Sequence, residues 1–476
     1  MTTLTKRLTF TAALLAIGCG SDTATTFAGN PGSPPPPVAL ADTFSVLGNG
    51  LLSGVVTLND TLNNGTVSAF QNPSTLGGTV SVSSTGQLTY TPPLNQSNLV
   101  DTFTYTLANS SGTSSATVTV NISARGYFVK NNVINSGLGT QANPFKTLAE
   151  AAIASNGVNG AQIVLFRGNG TSTNQDTGLT LSANQGISSL DPTIPATITG
   201  PINITTGNTI KDLNISGTLG TAIRGTSSSG ATLSGLQIDG VLGSGVSLMN
   251  CTGTFTINNS TIRNAQENGL VASSESGNLV LSVNSVTFAN VTARDSYSNT
   301  TGSAAHNMTV ANTNVIGGLG EFVSVDAGTT GQVRVNMTNN TCQGNGVKSR
   351  GLGILAIGPS NIVAQVSANN ITNCAGQGVL IIDQGGGNIK ARFTANRLLG
   401  NAGQKSLVAT TTNNAANSFG AIFQNNLGEI YEFTQIGAST FAVEALDQFN
   451  AASNNTGTPV TVGTITNAPT GSLMIP

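Results

Sequence analysis

Charged side chains make up only 8% of the 476 residues, so the few that could do chemistry are informative by their spacing. Glu267, Asp295 and Glu321 follow one another at nearly equal steps along the chain, and Lys348 and Arg350 stand one further step on. A chain that winds with a period near that step would bring the three carboxylates into a row with spacings of about 5 Å. One step suits a retaining pair of carboxylates or a shared calcium ion, and two steps approach the inverting separation. Lys348 or Arg350 would then act as a base or neutralise a uronate during β-elimination. A few solvated charges keeping a polar chain soluble is the plainer alternative.

Other chemistries thin out quickly. The single histidine, His306, falls in an apparent loop with no evident partner, so no Ser-His-Asp mechanism that cannot use it is available. Cys251, Cys342 and Cys374 lack the Cys-x-x-Cys spacing of a metal site. Adjacent windings would not set Cys342 opposite Cys374, so buried free thiols are expected. The formal net charge of -2 recommends neither nucleic acid nor an anionic membrane surface as partner.

The element that must position the row is a repeat. Ile215, Ile238, Ile262, Phe288, Val315, Cys342, Ile371, Leu398 and Leu427 recur at steps that lengthen slowly from the first pair to the last. Five residues before each stands Ile210, Leu233, Ile257, Val283, Val310, Met337, Val366, Phe393 or Ile422. All are apolar or thiol side chains in a chain that is only 38% hydrophobic. Two inward positions at an odd offset cannot share a face of one straight strand, so a bend separates them. Asn340, Asn369, Asn396 and Asn425 precede the last four anchors by two residues and would stack as an amide ladder at that bend. A third strand recurs at Gly245-Val246-Ser247-Leu248, Gly269-Leu270-Val271, Gly353-Ile354-Leu355-Ala356 and Gly378-Val379-Leu380-Ile381. Counted from the nearest anchor, Glu267, Glu321 and Lys348 lie five or six residues on, Asp295 and Lys405 seven, and Arg350 eight.

Three strands per coil, coils of this length and an asparagine corner resemble the right-handed parallel β-helix of pectate-lyase-like proteins. That resemblance implies a substrate cleft near the corner before the third strand, where the charges fall. Only Tyr297 would offer a sugar-stacking face nearby.

Before the repeat, residues 1–18 read as a signal peptide, with Lys6 and Arg7 ahead of a short apolar run. Ala16-Ile17-Gly18-Cys19 resembles a bacterial lipobox, which implies lipidation of Cys19 and, with Gly20 next, placement at the outer membrane or cell surface. Residues 19–38, with Pro34-Pro35-Pro36-Pro37, read as an extended tether. Residues 39–124 alternate like an antiparallel sandwich, as in Thr102-Phe103-Thr104-Tyr105-Thr106-Leu107. With Leu58-Asn59-Asp60, Gly86-Gln87-Leu88-Thr89-Tyr90 and Asp101-Thr102-Phe103, this stretch is similar to bacterial Ig-like or cadherin-like modules. Relatives of such modules carry calcium, which points to Asp60 and Asp101 as ligands, against the plainer role of turn-capping aspartates. Residues 125–440 are expected to form the β-helix, entered through an amphipathic helix at 148–154 that covers its first coil. Residues 441–476 would close the far end.

The fold class expected is all-β, a right-handed parallel β-helix preceded by a small sandwich. The function expected is an exported, lipid-anchored surface protein with a non-catalytic binding or structural role toward polysaccharide, cell envelope or protein. The alternative is a polysaccharide lyase or glycoside hydrolase on acidic polysaccharide, working through Glu267, Asp295, Glu321, Lys348 and Arg350. No cofactor is called for, calcium excepted.

Overall fold

Stacking of the repeated apolar positions builds most of the molecule. In the computed structural model, which describes residues 32–401, 403, 405–412, 417–444, 446 and 455–475, the chain winds into a parallel β-solenoid of about 11 turns. The expected signal peptide, Cys19 and most of the tether lie outside the described residues. Among the described residues, no helix is long and apolar enough to cross a membrane.

Three parallel ladders run along the solenoid. One coil shows the pattern: Asn278–Asn284, Thr287–Ala289 and Ser296–Gly302. Ser285 between the first two has φ 55°, and Asn312, Asn339, Ala368 and Ala395 repeat that left-handed conformation in the next four coils. A single left-handed residue turns the chain through a corner, which is why the inward positions Val283 and Phe288 lie five apart. Anchor pairs with anchor from Ile215 opposite Ile238 through Ile371 opposite Leu398. The earlier column runs from Ile210 opposite Leu233 through Val366 opposite Phe393.

The ninth coil departs by one residue. Leu398 pairs with Gly428 and Phe393 with Phe423, so Leu427 faces outward and is 40% exposed. The amide ladder shifts with it. Asn340, Asn369, Asn396, Asn426 and Asn455 join side chain to side chain at 2.8 to 3.0 Å, and Asn425 instead takes the left-handed corner at φ 56°. Each amide nitrogen also reaches a backbone carbonyl, such as that of Val366 from Asn396. Each amide oxygen takes in addition a backbone N–H from the coil before, such as that of Asn369 at Asn396. Buried corners are thus satisfied without water. In the third ladder Gly351, not Gly353, stands level with Gly378, because Leu352 pairs with Val379.

Both ends are covered. Helix Leu148–Ser155 starts with a capping box between Thr147 and Glu150 and buries Leu148 and Ala151 over the first coils. At the far end, strands Thr440–Glu444, Thr456–Val462 and Thr466–Ala468 continue the ladders. The chain then folds back, and Leu473 and Ile475 cover the outward-facing Ile422 and Val363.

Ahead of the solenoid, strands Asp42–Gly48, Thr66–Phe70, Leu99–Asn109 and Gly112–Val129 face a smaller antiparallel sheet of Leu52–Val55, Thr79–Val82 and Gln87–Thr91. Tyr90, Phe103, Tyr105, Leu107, Val118 and Val120 fill the space between them. The 18-residue strand Gly112–Val129 belongs to both units: it pairs with Leu99–Asn109 in the sandwich and with Gln162–Leu165 in the first coil.

Asn396 makes bonds to the coils on both sides, so Asn396→Ala is expected to cost ~2–4 kcal/mol by leaving buried backbone groups unpaired. Asn425→Ala should cost less, about 1–2 kcal/mol, because Ala368 and Ala395 already hold the same left-handed corner. Denaturant titration of the two variants side by side measures the difference.

Candidate functional site

The five charges singled out in the sequence do not form one row. Pairing of Leu270 with Ser296, Ser296 with Val323, Val323 with Leu352 and Leu352 with Val379 fixes the alignment of the corner before the third strand. That register brings Asn268, Arg294, Glu321, Arg350 and Gln377 into line. Glu267 falls one residue before the line and Asp295 one residue after it. The third strand lies eight residues past the anchor in most coils but ten past Cys342, which moves Lys348 off the line and Arg350 onto it.

The aligned row alternates in charge. Glu321 is held by Arg350 Nη1 at 2.7 Å from one carboxylate oxygen and by Arg294 Nε at 3.4 Å from the other. Arg350 Nε donates to Gln377 Oε1 at 3.1 Å. The guanidinium of Arg294 lies 4.2 Å over the ring of Tyr297, whose hydroxyl donates to Asp326 at 2.8 Å. Burial, with the hydrogen bond to Asp326, pushes the Tyr297 hydroxyl up to about 12. Ser324, Leu355, Leu380 and Ile382 complete an open groove of about 280 Å³ on the outer face of the third ladder. A larger hollow of about 630 Å³ lies at the C-terminal tail, between Met474 and the outward side chains of Lys390 and Arg392. The turned-back chain makes that hollow, whereas the coils themselves make the groove. Glu267 stands apart from the groove, exposed, and accepts from Ser244 at 3.1 Å.

Asp295 and Lys348 are in contact with each other, inside the solenoid rather than on its surface. Lys348 Nζ lies 2.6 Å from Asp295 Oδ2 and 3.2 Å from the carbonyl oxygen of Gly320, and both side chains are at most 1% exposed. Burial pushes the Asp295 carboxyl up to about 7 in spite of the lysine. Neither group can meet a polymer on the outside. The corner lies close to the core there, so a side chain one position off the outward row points inward.

The same layer holds His306, which sits on strand Ala305–Ala311 rather than in a loop. Its Nδ1 bonds Ser298 Oγ at 2.7 Å, and burial pushes the imidazole down to about 4. The pair has the atoms of a base and a nucleophile, but His306 and Ser298 are 3% and 1% exposed and open to no substrate. Alternation placed on the strand 305–311 would have turned His306 inward from the sequence.

Among the described residues, no group of three or more His, Cys, Asp or Glu is arranged to hold a metal ion. In the sandwich, Asp101 works as a brace. Burial opposes its charge, yet bonds from Ser74, Tyr90 and the backbone N–H groups of Leu76 and Thr102 hold it below the usual carboxylate range. Asp60 accepts from Tyr105 at 2.8 Å and from the N–H of Leu40. Asp42, which sequence reasoning missed, is pushed up to about 6 by burial and by Asp60.

Comparisons with known proteins add to this. Residues 35–125 match the family model of the bacterial cadherin-like domain. No curated protein matches the chain. Among solved structures, the catalytic domain of a GH87 α-1,3-glucanase in complex with nigerose is 13% identical, covering 89% of this chain and 88% of that one at a TM-score of 0.39. A tailspike of Acinetobacter baumannii bacteriophage Fri1, a capsular polysaccharide depolymerase, is 14% identical, covering 72% and 62% at 0.32. A rhamnogalacturonan lyase is 12% identical, covering 67% and 75% at 0.18. The chain therefore carries a bacterial cadherin-like, Ig-like domain followed by a parallel β-solenoid.

Breaking the buried pair on one side leaves an uncompensated charge, so Lys348→Met is expected to cost ~3–5 kcal/mol, whereas Lys348→Met with Asp295→Leu should recover most of that loss. Denaturant midpoints of the three proteins check it. The His306 imidazole is depressed in the fold, so its contribution is whole above pH 6.5 and is lost as pH falls through about 4. The Asp295 carboxyl is raised and acts in the opposite sense, its contribution being whole below 3.8 and lost as pH rises through about 7. The difference in thermal midpoint between wild type and His306→Gln isolates the histidine: wild type should lose more than the variant between pH 6.5 and 4.

Proposed function

We propose that this chain is an exported, lipid-anchored polysaccharide-binding protein whose site is the groove on the third ladder. The observation that carries the reading is the convergence, on one half-buried outer face, of Arg294 stacked on Tyr297, Glu321 clasped between two guanidiniums, Asp326, and the apolar strip of Leu355, Leu380 and Ile382. Sugars are met by that combination of planar, charged and apolar surface, with hydroxyls bonding the carboxylates and guanidiniums and C–H faces lying on the ring and the strip. Rungs about 4.8 Å apart offer a chain of sugars a repeating set of contacts along the solenoid axis. Display at the cell surface through a lipid on Cys19 is part of the proposal, supported by the small residues that precede that cysteine.

Cleavage of the polysaccharide is the second reading, favoured by two carboxylates and two guanidiniums sharing one groove, with the Tyr297 phenol bonded to one of the carboxylates. The geometry gives it less support. Asp326, five residues past Glu321 on strand Glu321–Thr329, is already engaged by the Tyr297 hydroxyl. Both oxygens of Glu321 face guanidinium nitrogens. A hydroxyl pushed up to about 12 stays protonated near neutral pH, so Tyr297 has almost no phenolate to act as base in β-elimination. The solved structures above act on or bind polysaccharides, but at TM-scores of 0.39 and below they assign no residue of this groove.

Affinity electrophoresis and calorimetry against a panel of acidic and neutral polysaccharides test the reading. At least one polymer should bind, and Tyr297→Ala and Arg350→Ala should each weaken it about tenfold, the ~1.4 kcal/mol of one lost contact. Glu267→Ala should bind as wild type does. Retention of no polymer, or equal binding by all variants, would overturn the site. Release of reducing ends or of unsaturated, ultraviolet-absorbing products, lost in Glu321→Gln or Asp326→Asn, would establish cleavage instead.

A further inference from the structure

The groove on the third ladder extends along the solenoid axis in columns fixed by register. Tyr297, Ser324, Gly353, Leu380, Val408 and Glu432 form one outward column. Asn299, Asp326, Leu355, Ile382 and Thr410 form the next. The row at the corner runs on from Gln377 to Lys405, whose Nζ lies 2.8 Å from Glu432. On this face Arg294, Arg350 and Lys405 stand against Glu321, Asp326 and Glu432, so the formal charges cancel. Each of these three cations already faces a carboxylate of the protein. The Glu321 side chain is folded down against the sheet, since a Cβ on Gly353 would stand 2.7 Å from its Oε1. Only 12% of that side chain is exposed, and the arginines that clasp it are themselves only partly exposed.

We infer that the groove takes a neutral polysaccharide and rejects polyuronates, a conclusion that rests on the groove being the binding site. A uronate carboxylate brought onto this face gives up its water, and each cation it meets is already held by a carboxylate of the protein. To reach Arg294 or Arg350 it must compete with Glu321 for the same nitrogens. It then also lies beside the charges of Glu321 and Asp326, which repel it. Sugar hydroxyls meet neither cost. They accept from the outward N–H groups of the guanidiniums, donate to carboxylate oxygens and leave the ion pairs intact. The C–H faces of the sugars lie on the strip of Leu355, Leu380 and Ile382, which supplies the apolar area. Glu321 is on this account the specificity determinant: by neutralising two guanidiniums it keeps an anionic polymer out.

The test is affinity electrophoresis of the full chain through gels holding neutral glucan, mannan or galactan, or else polygalacturonate or alginate, with calorimetry on every polymer that retards it. Wild type should bind a neutral polymer with nearly the same affinity at low and high salt, because no net charge is there to be screened. Polygalacturonate and alginate should bind far more weakly or not at all. Glu321→Gln keeps the shape of the side chain and removes its charge, so it should bind a polyuronate about tenfold more tightly than wild type, a gain of ~1.4 kcal/mol that high salt abolishes. Asp326→Asn, in the neighbouring column, should gain in the same sense, and circular dichroism checks that both variants are folded. Tighter binding of wild type to a polyuronate than to every neutral polymer, lost in Arg350→Ala, would leave the groove as the site and overturn its neutral preference. Failure of both variants to gain any affinity for polyuronates would do the same. Retention of no polymer, or retention that Tyr297→Ala and Arg350→Ala leave unchanged, would bring down the groove and this inference together.

Discussion

Each coil must hydrogen-bond to the next in register, and this requirement fixes nearly everything else in the solenoid. A parallel ladder sets the backbones about 4.8 Å apart and allows no slip, because a shift of one residue would turn every inward side chain outward. Coils of unequal length therefore keep their strands aligned and place the extra residues in corners. The corner that follows Cys342 shows this. It holds two more residues than its neighbours, yet Leu352 still meets Val323 on one side and Val379 on the other. The asparagine ladder obeys the same rule, since each amide must reach the next at 2.8 to 3.0 Å.

That constraint explains how a polar layer survives within an apolar cylinder. Asp295, Ser296, Ser298, Thr300 and His306 all face inward on neighbouring strands and are buried. None could turn outward without breaking the ladder that carries it. Lys348 starts from a corner two coils away and spans the distance with its long stem, bonding Gly320 on the coil between. One ammonium thus joins three successive coils. Gly318 leaves room for it, since a Cβ there would stand 3.3 Å from Nζ. Such a pair adds little net stability over an apolar filling, and its plainest effect is to fix which corner lies over which.

The ladder constraint also decides what could be read without coordinates. Apolar anchors recurring once per winding were legible because burial demands them at every coil. The ninth coil was misread at Asn425-Asn426, where either amide could fill the corner and only the neighbouring coil tells them apart. The capping helix was legible from the amphipathic pattern at 148–154, and the structure adds the capping box between Thr147 and Glu150. Site residues were harder. Offsets of five, six and seven from an anchor look equivalent in a sequence, but at a sharp corner they face loop, groove and core in turn. Glu267, Glu321 and Asp295 took those three fates. Arg294 and Asp326 carried no signal beyond their charge. Cys251, Cys342 and Cys374 are buried free thiols, as expected from their spacing, and Cys342 stands opposite Ile371 rather than Cys374.

The outer groove and the internal packing are coupled here through single peptide steps. Arg294 is followed directly by Asp295, one outside and one inside, and Lys348 precedes Arg350 by two residues in the same corner. The buried ion pair therefore holds the two backbone segments that present the guanidiniums clasping Glu321. A groove assembled from one side chain per coil has no loop of its own to adjust it, so its spacing is only as accurate as the packing beneath. The shared strand Gly112–Val129 extends this argument to the sandwich. Arg125 reaches the carbonyl of Asn95 and Asn49 that of Gly126, so the module meets the first coil through paired backbone rather than through a free linker. The face carried by the third ladder is then oriented relative to the module by backbone pairing.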